Sequence, residues 1–523
     1  MPFGSGFSSR KYLHLFGALS VLVLAGVVAR TGFLIDRNIF RTRLFGLFPT
    51  RNQNSFNTMS TDKRVVIVIG GGLAGVSAAH TCLEHGASVV LLDKKLSLGG
   101  NSVKASSGIN GAGTEAQKAN GIEDSVEAFT TDTTTSAGPT LARPHLIHAL
   151  TSNSASAISW LSTQFSVDLS LVARLGGHSI PRTHRGKGGA PGWAITSALI
   201  KKLEQDEKAS VVKNAKVVGI LQEEGGKVIG VEYELGGERK VESGSVVVAT
   251  GGYGADFSGF LTQFRPDLIS LPTTNGDHAT GDGHRLVQDL KGSKKGILCD
   301  MDQIQVHPTG FVDPANPSAK TKFLAAEALR SVGGLLIDST GERFVNELDR
   351  RDAVTDKMQQ VIEAGKAPIR MVMNVKAYEV LKAHCDFYIA KGLMKKYPNA
   401  QALVEDTKLP LDTLSKTFSA HAEYASGKAK DPFGKTNFDN AEYTLDDTLF
   451  VAEMTPVVHY TMGGITIDAS ASVLDADGQK IPGLYAAGEV IGGVHGKNRL
   501  GGSSLLEAVV FGRIAGENAA KEQ

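Results

Sequence analysis

The chain contains little cysteine and has no excess of either charge. Its 523 residues include 3 cysteines, Cys82, Cys299 and Cys385, which are too few and too scattered for a disulfide framework or a metal cluster. No Cys-x-x-Cys-His sequence for attached haem occurs, nor any cysteine spacing typical of an iron–sulfur cluster, so electrons for a redox reaction must come from outside the chain. With 55 Lys and Arg against 54 Asp and Glu, the formal net charge of +1 does not favour a nucleic-acid partner.

The first 61 residues differ in charge from the rest of the chain. Asp36 is their one acid, and an apolar run at 13–29 follows a basic pair. The run is marginal for a membrane span and long for the core of a signal peptide, whereas the arginine-rich stretch after it is typical of organelle targeting. We expect residues 1–61 to direct the protein to the mitochondrion, with membrane association through this segment as an option. The endoplasmic reticulum, or initiation at Met59 to give a cytosolic form, stays open as an alternative.

A nucleotide-binding pattern begins directly after this segment. The apolar stretch at 65–69 predicts a buried strand that runs into Gly70, Gly72 and Gly75, and a helical stretch follows. The next apolar stretch ends at Asp93, an acid placed to bind a ribose hydroxyl. Strand, glycine loop, helix, second strand and acid thus occur in the order of a dinucleotide-binding unit, which predicts an α/β fold.

Two later glycine-rich strand ends identify the kind of nucleotide domain. An apolar strand runs into the glycines at 251–252, and a meander of short alternating stretches at 217–240 precedes it. A late strand ends at Gly488-Glu489. This combination is typical of an FAD domain into which another domain is inserted, since NAD domains usually lack the last two features. We predict a Rossmann-like FAD-binding domain formed by 62–305 and 456–523.

The stretch at 306–455 has a different composition, with more charge and with helical patterns at 353–364 and 400–425. It is predicted to be an inserted α+β capping domain that covers the substrate. Four constellations in this stretch and after it carry candidate chemistry. They contain Gln305-Val306-His307-Pro308, Glu327-Ala328-Leu329-Arg330 with the later Arg351-Asp352, His459-Tyr460-Thr461-Met462-Gly463-Gly464, and Asn498-Arg499-Leu500-Gly501-Gly502.

In their order and residue types these motifs resemble those of the fumarate reductase and succinate dehydrogenase flavoprotein family, in particular the soluble single-chain type of fungi. The resemblance runs from about residue 64 to the C-terminus. It implies an FAD-dependent oxidoreductase acting on a CH–CH group, which reduces fumarate to succinate by hydride transfer. It also implies an external donor, reduced FAD or FMN, in place of a quinone.

The residue types fit a small dianion. A planar dicarboxylate needs a cationic or hydrogen-bonding group at each end, and a close charge pair contributes about 4 kcal/mol at an effective dielectric constant of 20. His459 and Arg499 are candidates for one carboxylate, and Arg499 suits a bidentate grip that lysine would not reproduce. His307 is the candidate for the other carboxylate.

The resemblance also assigns the proton donor. The matching position is Arg351, which we expect to act as general acid while it regains a proton through Glu327 and Arg330, so that no neutral guanidine accumulates. The spacing of Glu327 and Arg330 puts both on one face of a helix. Arg350, next to Arg351, is the alternative acid.

A larger set of residues is implied to bind FAD. It consists of Gly70, Gly72, Ala74, Gly75, Asp93, Gly100, Asn101, Ser102, Ser106, Ser107, Gly108, Thr250, Gly251, Gly252, Asp282, Gly464, Gly488, Glu489, Ser503, Ser504 and Leu505. The loop at 99–104 lacks the histidine to which membrane-complex relatives attach FAD, so FAD is expected to be non-covalent. Ala326 stands where relatives with a bacterial-type site have a threonine that contacts the substrate, which puts one hydrogen bond in doubt.

Two other functions stay open at this level. The same scaffold could reduce another unsaturated acid such as urocanate, although the candidates for both carboxylate clamps are present. The chain could also be a non-catalytic flavoprotein, against which the presence of Arg351, Glu327 and Arg330 argues. These functions can be distinguished by measuring how fast different unsaturated acids reoxidise the reduced protein in the absence of oxygen.

Overall fold

The computed structural model describes residues 64–292 and 294–522. The predictions for the segment at 1–61, on targeting and membrane association, therefore lie outside the described residues. Within the described part, no helix is both long enough and apolar enough to cross a membrane.

The strands of the described residues fall into several sheets. Their bounds are β1 Val65–Ile69, β2 Ser88–Asp93, β3 Ile109–Asn110, β4 Leu171–Ala173, β5 Thr183–Arg185, β6 Ala209–Lys213, β7 Lys216–Gln222, β8 Val228–Leu235, β9 Glu238–Ser243, β10 Ser245–Val248, β11 Leu298–Cys299, β12 Ile304–Phe311, β13 Leu335–Ile337, β14 Ile369–Met373, β15 Lys395–Tyr397, β16 Leu449–Thr461, β17 Gly464–Ile465, β18 Ser472–Leu474 and β19 Lys480–Ala486.

The helices occur between these strands and at the end of the chain. Their bounds are α1 Leu73–Glu84, α2 Glu115–Ala119, α3 Val126–Ala137, α4 Pro144–Ser152, α5 Ser154–Phe165, α6 Pro191–Leu203, α7 Phe260–Phe264, α8 Asp282–Gln288, α9 Ala328–Ser331, α10 Arg351–Glu363, α11 Val375–Val380, α12 Lys382–Ala390, α13 Ala400–Thr407, α14 Leu411–Ala425 and α15 Ser503–Lys521. Short 3-10 helices span Ser102–Lys104 and Pro266–Leu268.

The main sheet has the order β18-β19-β10-β1-β2-β6, and its strands are parallel except for β18. β1 is central and almost entirely buried, as expected of a continuous apolar strand in a parallel sheet covered on both faces. The predicted α/β class with a parallel sheet is thereby confirmed. The predicted meander is also present, as the antiparallel sheet β7-β8-β9.

Helix α15 packs closely against α1 because two glycines face it. A Cβ on Gly512 would lie 2.6 Å from the carbonyl oxygen of Ala74, and one on Gly516 would lie 2.4 Å from that of Ala78. Both helices are largely buried and contribute to the core around the main sheet. This contact fixes α1, and with it the glycine loop that precedes α1.

A second sheet is antiparallel, with the order β12-β16-β14-β13, and β15 also pairs with β16. The residues between 311 and 454 form hydrophobic clusters of their own around it. The predicted domain boundaries, at 305/306 and 455/456, fall inside β12 and β16, which are paired with each other. The residues from 64 onward form one compact unit, so the division into domains stays a prediction.

The helical patterns predicted in this stretch correspond to α10, α13 and α14. The pattern at 400–425 is split into α13 and α14. Lys408 ends α13 in the left-handed conformation, with φ of 61°, and Pro410 precedes α14. Proline cannot continue a helix without losing a backbone hydrogen bond, which accounts for the break.

Candidate active site

A cavity of about 1180 Å³ opens where the strands of the main sheet end. Residues that follow β1, β2, β10 and β19 line it, including Gly70, Asp93, Thr250 and Gly488. The carboxyl ends of parallel strands meet at one edge of a sheet, which is where open α/β sheets bind their ligands. The cavity therefore lies at the place that the glycine pattern predicts.

Glycines let the backbone form the wall of this cavity. Gly70 has φ of +106°, and a Cβ there would lie 2.4 Å from the carbonyl oxygen of Ala249. A Cβ on Gly75 would lie 1.8 Å from the carbonyl oxygen of Gly70, so this glycine holds α1 against the loop. We call the backbone around Gly70, Gly75, Gly251 and Gly488 the glycine cradle.

Asp93 is held rigidly at the end of β2. Its Oδ2 accepts a hydrogen bond from the N–H of Gly71 at 2.7 Å, and its Oδ1 accepts one from the N–H of Lys95 at 2.8 Å. The carboxylate thus has a fixed orientation beside the cradle, as a ribose-binding acid requires. Asp282, at the start of α8, also lines the cavity and pairs with Lys94 at 2.8 Å.

Most of the residues predicted to bind FAD line this cavity. They are Gly70, Gly72, Ala74, Asp93, Gly100, Asn101, Ser102, Ser106, Ser107, Gly108, Thr250, Gly251, Gly252, Asp282, Gly488, Glu489, Ser504 and Leu505. Gly75, Gly464 and Ser503 do not line it. Gly75 and Gly464 lie directly against backbone atoms, and Ser503 accepts a hydrogen bond from Asn110.

Unused polar atoms support a bound nucleotide. Ser106 Oγ, Thr250 Oγ1 and His278 Nε2 are buried at the cavity and have no hydrogen-bond partner among the described residues. Buried polar groups normally have partners, so a polar ligand is the expected one. The cavity also exceeds the 300 to 1,000 Å³ that is usual for drug-sized ligands, as a molecule of the size of FAD requires. The residues present fit FAD.

Glu489 lies at the cradle end of the cavity. Burial raises the pKa of its carboxyl to about 7, despite hydrogen bonds from Thr461. Glu489 Oε1 accepts these bonds from the N–H of Thr461 at 3.0 Å and from its hydroxyl at 3.3 Å.

Two guanidinium groups and a histidine line the other part of the same cavity. Arg499 lies with its Cζ 4.2 Å from the centre of the Tyr460 ring, and its Nη2 donates to Gln305 Oε1 at 3.1 Å. Arg351 donates from Nη1 to the same oxygen at 2.8 Å. Arg499 Nε is buried and has no partner in the described chain. Burial, together with the charge of Arg351, lowers the pKa of Arg499 to about 10.

Gln305 lies in a motif that the sequence singles out, but the sequence assigns it no role in the site. Its Oε1 joins Arg351 and Arg499, while its Nε2 donates to Asn498 Oδ1 at 2.9 Å and to the carbonyl oxygen of Arg499 at 2.7 Å. It lies on β12, two residues before His307, within a motif that the sequence already singles out. The presence of an amide side chain directly beside the His307 motif was the feature of the sequence that could have indicated a role for Gln305.

Glu327 connects the predicted proton donor to a second arginine. Its Oε2 lies 2.7 Å from Arg351 Nε and 2.6 Å from Arg351 Nη2, and its Oε1 lies 3.6 Å from Arg330 Nη2 and accepts from the N–H of Gly176 at 2.9 Å. Burial would raise the pKa of Glu327, but the charges of Arg351 and Arg330 bring it down to about 2. Glu327 is therefore ionised. Glu327 and Arg330 lie behind Arg351, outside the cavity lining.

The groups of this cluster leave a surplus of positive charge. The carboxylate of Glu327 contacts Arg351 and Arg330, whereas Arg499 contacts the neutral amide oxygen of Gln305, so these four groups carry three positive charges and one negative charge. Charges buried without partners are costly, so this arrangement favours an anionic ligand, and two surplus charges match a dianion.

The two predicted histidines lie together but differ in their access to the cavity. Their ring centroids are 5.0 Å apart, and His459 lines the cavity, whereas His307 lies behind it. Burial, together with the charge of Arg351, lowers the pKa of both well below the usual range, so both are neutral. The N–H of Thr309 donates to His307 Nδ1 at 3.2 Å, which leaves the proton on Nε2. That N–H has no acceptor among the described residues.

The structure separates the two adjacent arginines. The Arg351 side chain is 5% exposed and lines the cavity, whereas the Arg350 side chain is 38% exposed and pairs with Asp352 at 3.1 Å. The hydrogen bond from Arg350 to Asp352 raises the pKa of Arg350. Of the two, Arg351 is the one positioned to meet a ligand.

No group of three or more His, Cys, Asp or Glu side chains that could hold a metal ion occurs in the part of the chain that the structure describes.

Comparison with known proteins agrees with this geometry. The FAD binding domain family matches residues 65–505. A fumarate reductase of Schizosaccharomyces pombe is 45% identical over 91% of this chain and 94% of that protein, and fumarate reductase 1 of Saccharomyces cerevisiae is 46% identical over 88% and 99%. The open conformation of a flavocytochrome c3 fumarate reductase matches with a TM-score of 0.70 and 30% identity, over 94% of this chain and 81% of that one. The chain belongs to the FAD-binding flavoprotein family that includes these fumarate reductases.

Proposed function

We propose that the chain is an FAD-dependent fumarate reductase, which adds a hydride and a proton across the double bond of fumarate to give succinate. The observation that carries the proposal is the convergence of Arg351 and Arg499 on the amide oxygen of Gln305, inside the cavity that also contains the glycine cradle. The two fungal relatives, both fumarate reductases at 45 and 46% identity, support the same activity.

The positive surplus around Arg351 and Arg499 binds the substrate as a dianion. Arg499 holds one carboxylate together with His459, because its Nε is unused and its planar fork can grip two oxygens at once. His307 serves the other carboxylate through its free Nε2–H. Since both histidines are neutral, they donate hydrogen bonds without adding charge.

The glycine cradle would hold FAD non-covalently, and reduced FAD bound there would supply the hydride. Arg351 donates the proton to the other alkene carbon. Its Nε and Nη2 both contact the Glu327 carboxylate, which in turn lies beside Arg330, so a proton lost from Arg351 can be replaced along this line. The low pKa of Glu327 makes it a transient carrier of that proton.

The activity is tested by anaerobic single turnover. Purified protein is reduced chemically and then mixed with fumarate, with urocanate or with crotonate, and flavin reoxidation is followed by absorbance. We expect rapid reoxidation by fumarate and slow or no reoxidation by the other acids. Preference for urocanate would make the chain a reductase of another unsaturated acid, and no reoxidation by any of them would make it a non-catalytic flavoprotein.

We further propose that free reduced flavin, FADH2 or FMNH2, restores the enzyme after each turnover. The sequence has no motif for attached haem or an iron–sulfur cluster, so the electrons need a diffusible carrier. Steady-state fumarate reduction should be supported by FMNH2 and not by NADH alone. Equal rates with NADH in flavin-free buffer would contradict this choice of donor.

The segment at 1–61 is proposed to target the protein to the mitochondrion, on the basis of its arginines and its near absence of acids. A fluorescent fusion with the full chain should co-localise with mitochondria, and one that starts at Met59 should be cytosolic. Carbonate extraction separates a membrane-anchored form from a released one.

A further inference from the structure

Tyr388 is a cavity residue for which the proposed mechanism has no use. It lies on α12, its side chain is 4% exposed, and it lines the same cavity as Arg351, His459 and Arg499. Its ring packs against Phe311 with centroids 4.6 Å apart, which fixes the direction of the hydroxyl. The ring of Tyr388 is thus held by an aromatic contact at the wall of the cavity.

The hydroxyl of Tyr388 has an unused hydrogen. Its oxygen accepts a hydrogen bond from the N–H of Ala326 at 3.4 Å, and no residue that the structure describes accepts its own O–H. Burial raises the pKa of Tyr388, so the hydroxyl keeps its proton at any pH at which the protein functions. A buried donor without an acceptor is unfavourable, and a carboxylate in the cavity would supply that acceptor.

The Tyr388 hydroxyl is hydrogen-bonded to the backbone of Ala326, next to Glu327 of the proposed proton path. Ala326 precedes Glu327, and its other neighbour, Ala325, donates its N–H to the carbonyl oxygen of Thr309 at 2.9 Å. Thr309 in turn bonds to His307, the histidine assigned to the second carboxylate. Tyr388 is therefore linked to His307 through the backbone of Ala325 and Ala326 and through Thr309.

We propose that the Tyr388 hydroxyl is a substrate-binding group that donates a hydrogen bond to the fumarate carboxylate on the His307 side. At position 326 the side chain is alanine and offers no donor, so Tyr388 supplies the hydrogen bond there. Together with His307 it makes the site select a dicarboxylate over a monocarboxylate. This inference rests on the proposed fumarate reductase function.

The test uses Tyr388→Phe in the FAD-loaded protein. Phenylalanine keeps the ring packing and removes only the hydroxyl. Tyr378→Phe is the matched control, because Tyr378 is also a tyrosine of the stretch at 306–455, stacks on Phe450 and donates a hydrogen bond to Asp386 outside the cavity. KM and kcat are measured for fumarate. The dissociation constants of fumarate and of crotonate, which lacks the second carboxylate, are measured by titration of the oxidised protein, followed by the flavin spectrum.

We expect Tyr388→Phe to raise KM for fumarate about 10-fold, the size of one hydrogen bond to a charged group, with a smaller change in kcat. The dissociation constant of fumarate should rise by a similar factor and that of crotonate should change little, so the binding preference for fumarate falls about 10-fold. Tyr378→Phe should behave as wild type. An unchanged preference overturns the inference. An equal loss for both acids also overturns it, since Tyr388 would then only position Ala326 and Glu327.

A second measurement does not depend on the variant. In a crystal structure of the wild-type protein with succinate, a carboxylate oxygen should lie within about 3.0 Å of Tyr388 Oη, the length of a normal hydrogen bond. A separation beyond hydrogen-bond reach overturns the inference, whatever the variant does. Failure of the wild-type protein to reduce fumarate would instead defeat the proposed function itself.

Discussion

The glycine cradle and the arginine cluster are two halves of one cavity, and they are constructed in opposite ways. The cradle is backbone, neutral and formed by loops that directly follow parallel strands. The arginine cluster consists of the side chains of Gln305 on β12, His459 on β16, Arg351 at the start of α10 and Arg499 before α15, and its two guanidinium groups are charged. Adding a side chain to the cradle should therefore prevent FAD binding. Shortening or exchanging a side chain of the cluster should weaken fumarate binding.

The largest expected effect comes from adding a side chain to the cradle. Gly75→Val should abolish FAD binding, because even a Cβ at this position would lie 1.8 Å from the carbonyl oxygen of Gly70. The ratio of flavin to protein after purification measures it. Gly225→Val is the control, since a Cβ there has no atom within 4 Å. Full flavin content in Gly75→Val would show that the loop can move.

The cradle could be predicted from the sequence more completely than the cluster. β1, the turn at Gly70 and β2 with its terminal Asp93 follow from residues close together in the chain. Gln305 could not be predicted, because its function depends on the convergence of Arg351 and Arg499 on one oxygen. Local patterns specify residue types and backbone, whereas such contacts arise only from tertiary packing.

The same limit applies elsewhere in the site. His307 and Glu327 were predicted from their motifs, but their position behind the cavity lining depends on how β12 and α9 pack. Tyr388 lies in no motif, and only the fold brings its hydroxyl to Ala326.

Exchanging a cluster side chain gives the next largest effect. Arg499→Lys should weaken fumarate binding about 10- to 100-fold, because it keeps the charge and loses the bidentate hydrogen bonds. Titration of the oxidised protein with fumarate, followed by the flavin spectrum, gives the dissociation constant. FAD content should stay at the wild-type level, and an unchanged affinity would remove Arg499 from the clamp.

A smaller loss of fumarate binding is expected from replacing Gln305, the neutral amide of the cluster. Gln305→Leu removes the oxygen that Arg351 and Arg499 share, so both guanidinium groups lose an acceptor and fumarate binding should weaken about 10-fold. Gln303→Leu, whose amide reaches Asp302 instead, is the matched control. If the two variants bind fumarate equally well, Gln305 does not organise the arginines.

The smallest effect concerns Glu489, an acid at the cradle end of the cavity. The pKa of Glu489 is raised from 4.5 to about 7, so between these values the folded protein holds a proton that the unfolded chain has lost. Stability therefore falls as pH rises through this window. The melting temperature of the wild-type protein should drop by a few degrees relative to Glu489→Gln between pH 5 and pH 8, measured with saturating FAD. If the melting temperatures of the two proteins changed in parallel with pH, the raised pKa of Glu489 would be contradicted.

The most direct test of the account is the rate at which fumarate reoxidises the reduced flavin in Arg351→Ala and in Arg350→Ala. We expect the rate to fall by about 10²- to 10⁴-fold or more in Arg351→Ala, with fumarate still bound by Arg499 and the histidines, because general acid catalysis is lost. Arg350→Ala should react at nearly the wild-type rate, since its side chain faces solvent and Asp352. An inactive Arg350→Ala beside an active Arg351→Ala would move the acid by one residue, and full activity in both would contradict the mechanism.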